Sequence, residues 1–276
     1  VSSAESLRAG AVAVLTTAAP ADKIALGREI AADWRAGRLP IGAGPMPPPR
    51  PARPARPALR PPRDMPKRRS GGAVESRVAL LHALAHIELN ALDLAWDLIA
   101  RFGTADLPAG FFDDWVGVAD EEAGHHALLA RRLADFGAAF GDLPAHDGLW
   151  QAAEATAGDF LARLAVVPLV LEARGLDVTP GMIASLDKAG DGASAEVLRI
   201  IYRDEIGHVA IGRRWFDAIC RARGLAPGAA FPELVRRHFK GVLKRPFNTE
   251  GRDLAGLPAG FYEGLADLER PEQRSR

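Results

Sequence analysis

A single cysteine, Cys220, among 276 residues rules out an intramolecular disulfide and any thiolate-rich zinc or iron–sulfur site built within one chain. That usage fits a reducing, cytoplasmic setting. Net charge is also lacking: 35 basic residues balance 35 acidic ones, and the sequence pI is about 7.2. The whole molecule therefore has no global attraction to nucleic acid or to an anionic membrane. No run of about eighteen apolar residues occurs, which argues against a transmembrane helix. The mildly apolar stretch 9–21 follows Arg8 as a signal peptide would. It lacks a leucine-rich core and continues helically to Arg38, as a domain segment does. Val, Ile and Thr never alternate as strands require, so the fold class expected is all-α.

What is abundant is proline, and it is localised. Residues 40–66 hold 11 of the 21 prolines and repeat Arg-Pro-Ala from Arg50 to Ala58. Such a segment cannot be helical and is expected to be an extended arm in polyproline-II geometry, with Arg50, Arg53 and Arg56 along one edge. Seven arginines, one lysine and one aspartate give residues 40–70 a net charge of +7, leaving −7 elsewhere. The arm has no interleaved aromatics for base stacking, so wrapping the acidic remainder of its own chain, or of a second subunit, is preferred over RNA binding.

Around the arm the pattern divides the chain into four segments. Residues 1–39 read as two short helices broken at Ala19-Pro20, 40–72 as the arm, 73–221 as a four-helix bundle, and 222–276 as a C-terminal extension. Long helices are predicted near 73–102, 108–136, 148–174 and 193–221. Turns are predicted at Gly103, Leu107-Pro108, Gly141, Pro144, Gly175 and Pro180-Gly181. A short helix is predicted at 180–188 and another at 232–243, with an irregular tail thereafter. The five Trp and eleven Phe suit a core as well as a pocket.

Two copies of one phrase carry the chemistry: Glu122-Ala-Gly-His125 and Glu205-Ile-Gly-His208. Each sets a carboxylate and an imidazole one turn apart on one helix face. Each has a lone Glu upstream at nearly equal distance, Glu88 and Glu172. Glu122 and His125 fall inside the apolar stripe Phe111, Trp115, Val118, Leu129, Leu133 and Phe136. Glu205 and His208 interrupt the stripe of Leu198, Ile201, Phe216 and Ile219. Glu172 shares a face with Leu161, Leu164, Pro168 and Leu169. One inward Glu or His is ordinarily a satisfied core group. Four carboxylates and two imidazoles in the order Glu, Glu-x-x-His, Glu, Glu-x-x-His need a compensating charge, which two divalent metals supply. His126 is a rival to His125. His82, His86, Asp93 and Asp97 gather on the face opposite Glu88, where packing against the basic arm is preferred over a second site. Pro168, one turn before Glu172, is expected to distort its helix.

This order resembles the ferritin-like superfamily of di-iron and di-manganese carboxylate proteins. Several phrases resemble, more closely, the domain-of-unknown-function family numbered 455. They are His86-Ile-Glu-Leu, Pro144-Ala-His-Asp-Gly-Leu-Trp150, Glu172-Ala-Arg-Gly-Leu-Asp-Val-Thr-Pro180 and Asp204-Glu-Ile-Gly-His-Val209. The resemblance implies that one metal takes Glu88 and His125 and the other Glu172 and His208. Glu122 and Glu205, the candidate catalytic carboxylates, would bridge them or bind between them. Glu121 and Asp204 would orient the histidines. Tyr202, one turn before Glu205, could reach the metals, but a core phenol hydrogen-bonded to a neighbour is the preferred reading. Where many oxygen-activating relatives place Arg before the motif His, this chain has Gly124 and Gly207. Those glycines would serve close helix approach or a backbone distortion.

The expected function is a cytoplasmic oxidoreductase holding two metal ions, iron or iron with manganese. It would activate dioxygen to oxidise a small organic substrate. It would draw on an external electron donor, engage no membrane or nucleic acid, and could form a homodimer. The alternatives are a ferroxidase or iron-binding protein without organic substrate, and a metal-stabilised interaction scaffold.

Overall fold

The computed structural model describes residues 4–266, so the extreme ends of the first and last segments lie outside the described residues. Their regular secondary structure is helical. Among them there is no strand, and an isolated parallel bridge joins Leu59 to Ala145. The α-helices are α1 (Leu7–Thr16), α2 (Pro20–Arg35), α3 (Val74–Phe102), α4 (Ala109–Asp135), α5 (Gly148–Ala155), α6 (Phe160–Val166), α7 (Ala173–Lys188), α8 (Gly192–Ala222), α9 (Pro227–His238), α10 (Thr249–Leu254) and α11 (Ala259–Ala266). A π-helical segment, Val167–Glu172, links α6 to α7.

The chain divides into two compact units. The first comprises Val1–Trp150 and Met182–Ile200, and the second Gln151–Gly181 and Ile201–Arg276. In the first, α3 and α4 form the main helix pair, with α1 against α3 and α2 against α4. Local chemistry sets the ends of these helices. The Ser6 hydroxyl accepts from Ala9 N at 3.1 Å and caps α1, while Pro20 opens α2, where its missing N–H is not needed. Gly137 closes α4 at a φ of +72°, and Ala138 N donates back to Leu133 O at 3.0 Å. Only glycine takes that left-handed conformation at no steric cost.

The core of this unit contains Trp96, Trp115, Phe111 and Phe112. By length and composition α3 could cross a membrane, but 78% of its most apolar window is buried within the protein, as in a core helix. It also carries Glu88, Asn90, Asp93 and Asp97.

The proline-rich segment is extended as expected, apart from a short 3-10 turn at Pro62–Asp64. It lies on the first unit's helices and is pinned through its backbone. Arg101 donates to Pro48 O at 2.9 Å, Trp150 Nε1 to Pro49 O at 3.0 Å, and Ala52 N to Leu15 O at 2.7 Å. Its cations follow suit: Arg50 pairs with Asp147, and Arg53 pairs with Asp93 and donates to Asn90 Oδ1 at 2.7 Å. Arg56 instead remains exposed. Asp93 is therefore covered rather than superficial, and Lys23 from α2 binds its other oxygen.

In the second unit the sequence reading needs several corrections. The helix predicted at 148–174 is broken at 156–159, where Asp159 starts α6 by accepting from Leu161 N at 2.9 Å and Ala162 N at 3.1 Å. The buried Arg163 ties the break together, donating to Thr156 Oγ1 at 2.8 Å and Ala153 O at 2.7 Å. No turn forms at Gly175 or Pro180-Gly181, so the separate helix predicted at 180–188 is the second half of α7. The helix placed at 232–243 starts five residues earlier, at Pro227 in its first turn, and ends at His238. The tail is not irregular. Asn248 caps α10 through Gly251 N at 3.1 Å, and α11 follows. Arg252 anchors this tail, being buried, bidentate to Asp177 and stacked on Tyr262 at 4.2 Å.

Candidate metal centre

Helices α3 and α4 are joined by the short loop 103–108, so α4 returns along α3 and sets the middles of the two helices side by side. Glu88 lies mid-way along the first and Glu122 and His125 mid-way along the second. One donor atom from each of the three falls within 4.8 Å of the others. His125 Nδ1 stands 3.2 Å from Glu88 Oε2 and 3.4 Å from Glu122 Oε2. All three residues are buried, and Glu122 has no exposed surface at all.

Burial opposes charge on His125, but its hydrogen bonds and attraction to Glu122 and Glu88 prevail. They raise its pKa to about 11. In the metal-free protein a proton thus occupies the position where two carboxylates and an imidazole converge. A divalent cation answers the same electrostatic demand, and an oxygen-and-nitrogen donor set without thiolate suits iron or manganese.

His126, the rival ligand, is otherwise engaged. Its Nδ1 donates to Ala85 O at 2.8 Å, and its ring meets Phe140 edge-on at 4.9 Å. His82 and His86 stack on the same Phe140. His82 Nε2 accepts from Gly141 N at 2.9 Å, and His86 Nε2 lies 3.2 Å from His146 O. Burial depresses the pKa of all three, that of His86 to about 4, so they are neutral packing groups.

In the second unit, Glu205 and His208 sit one turn apart on α8, with His208 Nδ1 3.7 Å from Glu205 Oε1. His208 is fully buried and Glu205 nearly so. Glu172 ends the π segment and is half-buried.

Glu121 is exposed, while Asp204 is half-buried and accepts from its neighbour Arg203 at 3.0 Å. The Tyr202 hydroxyl accepts from Asn248 Nδ2 at 2.9 Å, an arrangement that pins the 248 turn. A side chain at Gly124 or Gly207 would meet nothing within 4 Å. Neither glycine therefore serves close helix approach. Gly212 on α8 does permit close approach, since its added Cβ would collide with the ring of Pro168. Sequence reading passed over it because a lone Gly in a helix carries no signal of what packs on it.

Residues 16–263 match the family described as "Protein of unknown function (DUF455)". A Haemophilus influenzae protein described as "Uncharacterized protein" is 42% identical over 214 residues, which span 76% of this chain and 74% of that protein. No solved structure matches the chain.

Proposed function

The chain belongs to the family described as protein of unknown function (DUF455), and on that premise we propose that it is a ferritin-like, non-haem di-metal oxidoreductase. It would use dioxygen to oxidise a small organic molecule. The observation that carries this reading is the buried convergence of Glu88, Glu122 and His125, a donor set that would suit a cation.

The repeated pattern extends it to two metals. Glu88, Glu122 and His125 would supply the ligands of one, and Glu172, Glu205 and His208 would supply a second ligand set. Two carboxylates for each divalent cation would leave each ligand set neutral in a low-dielectric interior. Ferrous iron bound there would supply the electrons that reduce dioxygen, and an external donor would restore them. The protein's own part is to keep water out, hold the ligands on helices, and release the His125 Nδ1 proton as metal enters.

Dioxygen uptake by metal-free protein given increasing ferrous iron tests this. Uptake should saturate at two irons per chain and resume only on addition of a reductant. Continued oxidation of many irons per chain would replace this reading with iron storage or detoxification. No uptake at all would leave a scaffold.

A further inference from the structure

We infer that Pro168 and Gly212 together act as a register device that sets the direction in which Glu172 faces. The inference rests on the metal reading above, in which Glu172 is a ligand. Its basis is local geometry inside the second unit. Pro168 has no N–H, so it cannot make the α-helical bond back to Leu164. The chain answers with a π turn: Ala173 N donates five residues back to Pro168 O, and the segment Val167–Glu172 is π-helical.

A π turn accommodates one extra residue, so everything after it is rotated by about 100° relative to an uninterrupted α-helix. Glu172 is the last residue of that segment, so its direction is set within the turn. The proline ring needs space to remain there, and α8 supplies it at Gly212. A Cβ at Gly212 would lie 2.6 Å from Pro168 Cγ and nearer still to its Cβ. Both residues are buried, so neither can move aside into solvent. The site is built from an absence on each side, an N–H missing from Pro168 and a side chain missing from Gly212. Neither residue touches the ligand position itself, so both are positioning residues.

A merely structural proline in a helix and a register device predict opposite outcomes when the proline is removed. Pro168→Ala restores the backbone donor and lets the segment relax to an α-helix, which favours stability. The same change turns Glu172 away. The experiment is anaerobic titration of metal-free full-length protein with ferrous iron, alongside thermal melting, for wild type, Pro168→Ala, Gly212→Ala and Gly207→Ala.

The expected result is a Pro168→Ala protein that melts no lower than wild type yet binds one of its two irons about 10- to 100-fold more weakly. Gly212→Ala, which displaces the ring from the other side, should weaken the same iron and also lower the melting temperature. Gly207→Ala, on the same helix with open space around it, should bind as wild type does. Wild-type affinity and stoichiometry in Pro168→Ala would overturn the inference while leaving the metal reading intact. Should Pro168→Ala not fold, wild-type binding by Gly212→Ala overturns it equally. A wild-type protein that binds no iron would remove the metal reading itself, and this inference with it.

Discussion

Replacing Asp93 by leucine should destabilise the protein by about 3–5 kcal/mol, and the structure sets both ends of that range. Asp93 is 0% exposed and Lys23 1%, so solvent does not screen their ion pair. Arg53 shares the carboxylate but is partly exposed and can turn outward when its partner is lost. Lys23 cannot. Without Asp93 its ammonium keeps only the Ala52 carbonyl, at 3.3 Å.

Burial already lowers the Lys23 pKa, and Asp93 is the main influence holding it up. The buried amine therefore escapes by losing its proton. At pH 7 that costs about 5 kcal/mol against an ordinary lysine, which caps the penalty. For a chain of this size the loss corresponds to a melting temperature roughly 6–20 °C lower.

The mechanism has its own signature. In the variant the folded-state lysine pKa is depressed, so the unfolded state binds more protons and stability should rise with pH. Between pH 7 and 9 about 3 kcal/mol should return. The double variant Lys23→Met/Asp93→Leu should recover most of the loss at every pH, because no uncompensated charge remains. Thermal melting followed by circular dichroism at several pH values measures all of this. A penalty below about 1 kcal/mol, or one indifferent to pH, would refute the reasoning.

Other consequences are equally direct. The raised pKa of His125 stabilises the metal-free protein fully below about pH 6.5. That contribution is lost as pH rises towards about 11, so metal-free wild type should lose stability over this window more steeply than His125→Gln. Because the same proton must leave when metal enters, iron binding near pH 7 should release about one proton per His125, measurable by calorimetry in buffers of different ionisation enthalpy. His86 has the opposite sign. Its pKa falls to about 4, so stability should decline as pH drops from about 6.5 towards 4, and His86→Gln should flatten that acid limb in a melting series. Arg252→Met leaves Asp177 buried without its bidentate partner. It should release α10 and α11 to limited proteolysis while α3 and α4 stay protected, and equal protection of the tail would contradict its anchoring role.

The elements that sequence made legible are those whose physics is local. The helices α3, α4 and α8 carry long apolar stripes and are bounded by glycine or proline, so they read to within a residue or two at each end. The arm was readable because eleven prolines admit no other conformation. At the site, Glu88, Glu122 and His125 were legible because charged groups inside an apolar stripe contradict the stripe.

What was missed depended on partners distant in sequence. Pro180 and Gly175 look like stops, yet α7 runs through both because its packing outweighs the local preference. The break at 156–159 is held by Arg163, and nothing in the run of apolar residues announces an inward arginine. α10 and α11 are too short to show periodicity, and their anchor is an ion pair to a residue seventy-five positions earlier. The choice between His125 and His126 also lay beyond sequence, since it turns on which ring the Ala85 carbonyl claims.

The central claim is that a buried carboxylate–imidazole cluster binds metal, and elemental analysis tests it most directly. The comparison is between wild type, purified from its native host, and the Glu122→Ala/Glu205→Ala variant. The account predicts about two metal ions per wild-type chain, iron or iron with manganese, and their loss from a variant that remains folded. A well-folded wild type carrying no metal, or a variant that keeps the wild-type complement, would contradict it.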